Sequence, residues 1–401
     1  MRPKHFPFMK KQDKNSLAFA IGIDGNEANE VRGDIGERVG VNNYCFNLLW
    51  SLHKQAQKRG DLLFVVFLKG SPRSDLPPRT NFWKYEILNG KRFWILSRLL
   101  PRLLFDSKID VFFSPNHYLP PVPFLPLIST IHDLGYLDFS GQFPKNQYWQ
   151  LKVWSAISII ISKYIITPSI ASKRDIVRHY SFASKKVSVI PHGLDGEFEM
   201  LNISNNVVRQ IIKKYKINFP YIVFIGTIKP SKNVEGLLNA FEIVKKNYPK
   251  LKLVIVGPKG WMWEGVFRKI KNSKYKKDII VTGFVESKEK FAILKGASVF
   301  TVPSLTEGFG MDVLCALFIK TPVVAGNIGS LPEVSGKAGI LVDPKSDESI
   351  AKGILKVLEM GGLEYNKLIE AGRAQASKYS WEKCGKETLS VFLKAGRKKY
   401  V

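Results

Sequence analysis

Cysteine, histidine and acidic residues are scarce in this chain, and long apolar runs are absent. The 401 residues hold three cysteines, Cys45, Cys315 and Cys384, an odd number at wide spacing. They form neither a disulfide framework nor a paired-cysteine metal site. So few thiols in so long a chain suit a reducing cytosol. Histidine occurs six times, and nowhere do His, Asp and Glu cluster at metal-ligand spacing, so no metal is expected. The apolar stretch 153–162 is too short to span a bilayer, and Lys163 follows it at once. Near the N-terminus the run 17–23 is ended by Asp24 with no small-residue cleavage site after it. Positions 1–16 therefore read as a basic tail before a first buried strand.

Acid is the sharper shortage. There are 34 Asp+Glu against 61 Lys+Arg, a net charge of +27. Residues 1–194 hold 27 basic and 14 acidic residues and the remainder carries +14, so the excess is spread over both halves. Such a surface favours anionic partners: nucleic acid, anionic lipid or phosphorylated substrates. At 45% hydrophobic and 12% aromatic, the composition excludes a disordered chain, a coiled coil and a collagen-like fibre. The length points to two or three domains.

Short apolar runs alternate with longer amphipathic ones, the pattern of a parallel sheet wrapped by helices. Strands are expected at 19–24, 62–68, 111–114, 127–131, 164–168 and 187–190, with helices at 42–58, 149–162 and 170–180. The Pro-rich stretch 115–126 cannot continue a helix or a central strand. The rhythm stops near Pro191-His192-Gly193-Leu194-Asp195 and a polar stretch, 202–206. It resumes with strands at 221–226, 251–257, 279–282, 298–303 and 322–325, and helices at 233–247, 287–296, 311–318, 347–360, 364–378 and 381–393. Two doubly wound units meeting near residue 194 are the economical reading: 1–194, 195–380, and a last helix within 381–401 packing back on the first unit. In such sheets ligands bind outside the carboxyl ends of the strands, so the cleft between the units is the expected site.

The stretch Ser304-Leu-Thr-Glu-Gly-Phe-Gly-Met-Asp-Val-Leu-Cys-Ala316 carries the most chemistry. A strand ends in a Gly-containing loop and a helix begins. Gly308 and Gly310 allow unusual backbone angles and close approach, and bare amides at a helix start suit a diphosphate. Glu307 can accept hydrogen bonds from ligand hydroxyls; an ordinary strand-to-helix turn with a solvated acid is the alternative. Taken with Gly226-Thr-Ile-Lys-Pro-Ser-Lys-Asn233, Val256-Gly257-Pro258, Val281–Val285, Thr321–Ala325 and Leu331–Val334, this segment resembles the family-four retaining glycosyltransferases of the GT-B fold. In the N-terminal half, Gly40-Val-Asn-Asn-Tyr44, Thr130-Ile-His-Asp-Leu134, Thr167-Pro-Ser169 and Val189-Ile-Pro-His-Gly193 are similar to that family's motifs. The resemblance runs from about Ile21 to Tyr379.

It implies an α/β protein of two Rossmann-like domains facing across a cleft. A UDP- or GDP-linked sugar would be held mainly by the second, and a glycan or lipid-linked glycan acceptor by the first. Glu307 matches the first acid of the family's E-x7-E pattern, at the donor sugar's hydroxyls, with the backbones of Gly308, Phe309 and Gly310 beside it. Lys232 matches the lysine that neutralises the leaving diphosphate. Ser231 stands where an arginine often precedes it, and Lys229 is the nearby cation that could compensate. His132 matches a histidine approaching the transferred sugar, and Gly40 lets the first loop approach the phosphates. The second acid should fall at Cys315, where a thiol cannot replace a two-oxygen carboxylate and reads more naturally as core packing. Asn233 is a helix cap, Asp312 a complement to its helix N-terminus, Glu333 a brace for a loop, and His192 structural or hinge-associated.

The implied activity is metal-independent hexosyl transfer in polysaccharide or glycolipid synthesis. Its expected setting is the cytoplasm, with peripheral contact on an anionic membrane. A catalytically weakened relative serving as a partner subunit would explain Cys315. A nucleotide-sugar epimerase and a nucleic-acid-binding protein are disfavoured, since no epimerase motif, zinc spacing, RNA-recognition aromatic motif or basic helix is present.

Overall fold

The computed structural model describes residues 18–31, 37–91, 93–105, 108–194 and 203–396. The expected basic tail, Asp195 and positions 397–401 lie outside the described residues.

The first sheet holds seven parallel strands: β1 (Phe19–Asp24), β2 (Leu62–Leu68), β3 (Trp83–Ile87), β4 (Val111–Ser114), β5 (Leu127–Thr130), β6 (Tyr164–Thr167) and β7 (Val187–Val189), in the order β3-β2-β1-β4-β5-β6-β7. Successive side chains point to opposite faces, and each face has its own cover. Val111 and Phe113 pack under α1 (Val41–Gln57). Phe112 and Leu127 pack under a π turn, Ile95–Leu99, that runs into α2 (Leu100–Phe105). On that same second face lie α3 (Lys145–Ile161), through Ile159 and Ile161, and α4 (Ile170–His179), through Ile176. The N-cap of α4 is Ser169, whose hydroxyl accepts from the Ser172 amide at 3.0 Å.

The second sheet is built likewise. It comprises β8 (Tyr221–Ile225), β9 (Lys252–Val256), β10 (Ile279–Gly283), β11 (Val299–Val302), β12 (Val323–Gly326) and β13 (Gly339–Val342), ordered β10-β9-β8-β11-β12-β13. Burial on both faces explains why β8 reads as an unbroken apolar run and β11 as one broken only by buried Thr301. One face is covered by α5 (Val234–Val244), the other by α6 (Ser287–Gly296), α7 (Met311–Phe318) and α8 (Leu331–Ser335). The last helix, α9 (Trp381–Gly396), returns to the first sheet. Ser51 of α1 donates to the Trp381 carbonyl at 2.6 Å, and Phe392 lies 4.9 Å from Phe113.

Several elements were not foreseen, among them the π turn with α2, and α8. β3 and β13 are short outer strands with polar or glycine-containing sequences. The helices Asn205–Lys214 and Glu264–Asn272 lie in polar segments. The polar stretch at 202–206, read as an interruption, includes a helix start, because the Ser204 hydroxyl caps the first of these helices.

Both sheets reverse direction beside their first strand: β1 is flanked by β2 and β4, and β8 by β9 and β11. Loops leaving neighbouring strands there diverge to opposite faces and open a crevice at the carboxyl ends.

Candidate active site

Lys232 and Glu307 leave the second sheet on the two sides of that reversal. Lys232 ends a short turn, Pro230–Lys232, after β8; Glu307 lies in the loop after β11. The Leu305 amide donates to the Ser231 carbonyl at 2.8 Å, which ties the two loops together. Nζ of Lys232 forms an ion pair and hydrogen bond with Oε2 of Glu307, and both side chains are half-buried. Burial works against the Lys232 ammonium, but the Glu307 carboxylate, helped by Asp312 and Asp133, more than offsets it and holds the ammonium above its ordinary range. From behind, Ser330 grips the Glu307 carbonyl through its hydroxyl (2.9 Å) and amide (3.2 Å). The Asn233 side chain accepts from the Gly236 amide at 3.3 Å, capping α5.

Three residues further on, Gly310 takes a left-handed conformation, φ 94°, and starts α7 with no side-chain cap. A β-carbon is disfavoured there, and the first amides of α7 have no intrahelical partner. Phe309 between the glycines is buried, its ring 4.7 Å from that of His192, so its backbone is what a ligand can meet.

The first sheet supplies the facing wall. A Cβ built on Gly308 would stand 2.7 Å from the His132 carbonyl oxygen and 3.2 Å from Oδ2 of Asp133. Beyond β5, Nε2 of His132 lies 3.0 Å from the Pro115 carbonyl, which can only accept, so Nε2 carries the hydrogen. Burial lowers the pKa of His132, and the ring is neutral at pH 7. Asp133, which sequence reasoning passed over, is fixed by the Gly135 amide at 3.0 Å. Its place directly after His132 was the available signal.

The structure thus brings Lys232, Glu307, Gly308 and His132 to one place. Three further expected residues, Lys229, Gly40 and Cys315, have surroundings of their own. Nζ of Lys229 lies over the Trp261 ring, 4.6 Å from its centre. Gly40 opens α1 at φ 56° with nothing near a notional Cβ, so the backbone angle accounts for the glycine. Cys315 is 3% exposed and packs in the core beneath α7, which favours the packing reading over ligand contact. Asp312 pairs with Lys290 at 3.3 Å. Glu333, expected to brace its own loop, reaches the other half instead: Oε2 accepts from the Ile170 amide of α4 at 2.8 Å. Buried His192 stacks on Tyr44 (4.5 Å) and meets the tilted ring of Phe309 (4.7 Å), one from each half. No cluster among the described residues could hold a metal ion.

Two like-built parallel sheets, meeting where an acid–ammonium pair and an open helix start lie together, have the architecture of GT-B glycosyltransferases. The family described as "Glycosyl transferases group 1" matches residues 207–375, and "Glycosyltransferase Family 4" matches 40–198. The chain belongs to this family and is a glycosyltransferase. It is 28% identical over 293 residues to the O-antigen chain mannosyltransferase B of Escherichia coli, covering 72% of this chain and 75% of that one. The fold is similar to sucrose-phosphate synthase from Thermosynechococcus elongatus, with TM-score 0.72 and 16% identity over 94% of this chain and 98% of that one. It is also similar to HepE of Anabaena in complex with UDP and glucose, with TM-score 0.69 and 17% identity over 93% and 99%.

Proposed function

We propose that the chain transfers a hexose of mannose or glucose type from a UDP- or GDP-linked donor to a hydroxyl of a glycan or lipid-linked acceptor. The transfer retains configuration and serves synthesis of a cell-surface polysaccharide or glycolipid at the cytoplasmic face of a membrane. The observation that carries this reading is the Lys232–Glu307 pair at the β8/β11 reversal, against the His132 segment of the other half. The O-antigen mannosyltransferase supports the sugar type and polymer, and the UDP and glucose held by HepE support the donor class.

In this reading the donor diphosphate lies at the start of α7 with Lys232 beside it, and the hexose hydroxyls meet Glu307 and the 308–310 backbone. As the bond from C1 to the phosphate oxygen breaks, charge grows on the leaving diphosphate, where the ammonium and the amides stabilise it most. The acceptor oxygen bonds to C1 on the same face, and its proton passes to the leaving phosphate oxygen. Neutral His132 faces the sugar without adding charge. Lys229 and Gly40 belong to the outer approach to the phosphates.

A thermal-shift screen of UDP-, GDP- and ADP-sugars tests the reading and names the base. A donor at a hundred times its dissociation constant should stabilise the fold by about 2.7 kcal/mol. NMR of the product anomer then reads retention or inversion. No shift with any nucleotide sugar would reject the donor site.

Cys315 favours a second reading, a weakened relative that binds as a partner subunit, because the thiol occupies the second acid's place inside the core. Donor stabilisation without turnover, with or without a chelator, would select it. If the thiol only packs, Cys315→Ala should lower stability by about 1 kcal/mol and leave donor affinity unchanged.

A further inference from the structure

No helix among the described residues is long and apolar enough to cross a membrane. Yet exposed large apolar side chains concentrate on one face of the first sheet, the face opposite α1 and α9. On α3, Trp149 is 57% and Ile160 56% exposed, with Val153 also exposed. They stand at i, i+4 and i+11, one stripe along a helix. On the neighbouring π turn and α2, Leu96, Leu104 and Phe105 are exposed, Phe105 at 86%. The two helices are neighbours, since Ile161 at the end of α3 packs in the same cluster as Leu99 and Leu103.

The charges carried by these two segments themselves are basic, although Arg102 is paired with Glu86 of β3. Residues 145–161 contain Lys145 and Lys152 and no acid; residues 93–105 contain Arg98 and Arg102 and no acid. Nζ of Lys152 lies 4.9 Å over the Trp149 ring. Nζ of Lys186 donates to the Ile160 carbonyl at 3.0 Å, at the other end of the stripe. A helix with a tryptophan-bearing apolar stripe edged by lysine is built to lie in a lipid interface, its lysines at the headgroups.

We propose that this face, α3 with the π turn and α2, docks on the surface of an anionic phospholipid bilayer. Charge selects the occupant: with Arg102 held by Glu86, Lys145, Lys152, Lys186 and Arg98 still leave the rim net basic, which matches anionic headgroups and gains nothing from zwitterionic ones. The docking also fits the site. α3 follows β5 and returns antiparallel to it, so its first turns, with Trp149, lie at the end of the sheet where His132 emerges. Gln150 links those turns to Tyr118 after β4, its Nε2 3.0 Å from the hydroxyl. A lipid-linked acceptor would enter the cleft from that edge. This last step rests on the proposed function; the docking does not.

The test is sedimentation of the full chain with phosphatidylcholine vesicles and with vesicles also containing phosphatidylglycerol. Binding should require phosphatidylglycerol and weaken with added salt. Trp149→Ser/Val153→Ser/Ile160→Ser should weaken it roughly tenfold or more with melting and donor-induced thermal shift unchanged. Leu104→Ser/Phe105→Ser, on the other helix, provides a second arm if the triple variant misfolds. The proposal is overturned if the wild-type chain stays in the supernatant with anionic vesicles, or if folded variants of both sets bind as tightly as it does. It is equally overturned if the variants abolish only a dimer seen by light scattering, since the face would then belong to a second copy of this chain.

Discussion

Glu37 and Glu333 stand in opposite halves of the molecule, and each closes the amide end of a helix belonging to the other. The Glu37 carboxylate accepts from the Ser287 amide (3.1 Å) and hydroxyl (2.5 Å) at the start of α6. Glu333 does the same for α4 through Ile170. Bare helix amides are favourable partners for carboxylates. Here, however, the cap and the helix sit on different sheets, so the bonds join the halves rather than stabilise either alone.

Glu37→Gln and Glu333→Gln should therefore each cost about 1 kcal/mol of joining energy. The expected readouts are a larger radius of gyration in small-angle scattering and a raised KM for the donor. Together with the double variant they form a cycle. Two independent clasps should give additive effects, whereas a coupling above about 0.5 kcal/mol would mean that one fails when the other opens.

Glu307→Gln and Lys232→Ala should each lower kcat by roughly a hundredfold or more, the scale of losing one preorganised partner of developing charge. Glu307→Gln has a second effect that a structural acid would not produce. With the carboxylate gone, only the more distant Asp312 and Asp133 oppose burial at Lys232, and its ammonium should titrate at lower pH than in the wild type. NMR of the Lys232 side chain reads this directly; an unmoved titration would show that the pair does not govern the lysine.

Much of this pair was legible in the sequence, because the elements that carry it are strongly patterned. β8 is apolar at every position and β11 at every position but Thr301, and Gly310 marks the helix start. Legibility failed where one half meets the other. Glu333 looked like a loop brace and Asp133 was given no role, since a single chain's spacing does not show which groups from the other sheet will face them. Cys315 was ambiguous for a related reason: only depth in the core separates a ligand position from a packing one. β3 was missed because Trp83–Ile87 buries only alternate residues on an outer strand.

His117 gives the fold an acid limit. Burial, with His132 nearby, pushes its pKa down to about 4, and its Nε2 has no hydrogen-bond partner among the described residues. The folded chain keeps the ring neutral, while the unfolded chain protonates it near 6.5. The unfolded state thus binds the extra proton, and stability is lost as pH falls from about 6.5 towards 4, by about 3 kcal/mol at most. Asp24 and Glu27 act in the opposite sense, since burial raises their carboxyl pKa values and the folded state holds those protons. The wild-type-minus-variant difference isolates the histidine. His117→Phe should flatten the acid limb of urea-denaturation stability against pH, and an unchanged limb would assign the acid limit elsewhere.

Gly308 offers the most local test of how the halves cooperate. Its missing side chain is the space into which the His132 carbonyl and the Asp133 carboxylate project, and the Ser172 hydroxyl lies 2.9 Å from the His132 carbonyl oxygen and 3.2 Å from that of Gly308. A methyl group at Gly308 would meet the His132 backbone oxygen first, at 2.7 Å, and that group cannot turn aside as the end of a side chain could. The relief open to Gly308→Ala is a small parting of the two sheets. Melting should change by less than about 1 kcal/mol, because each core is untouched. Turnover should fall by roughly tenfold to a hundredfold, because the facing groups must meet the same sugar to within a fraction of an ångström. Donor affinity should fall less than kcat, since Lys232 and the α7 amides lie wholly on the second half. Equal loss of affinity and turnover would instead place Gly308 in donor binding alone, and no loss of either would show that the two halves do not act together.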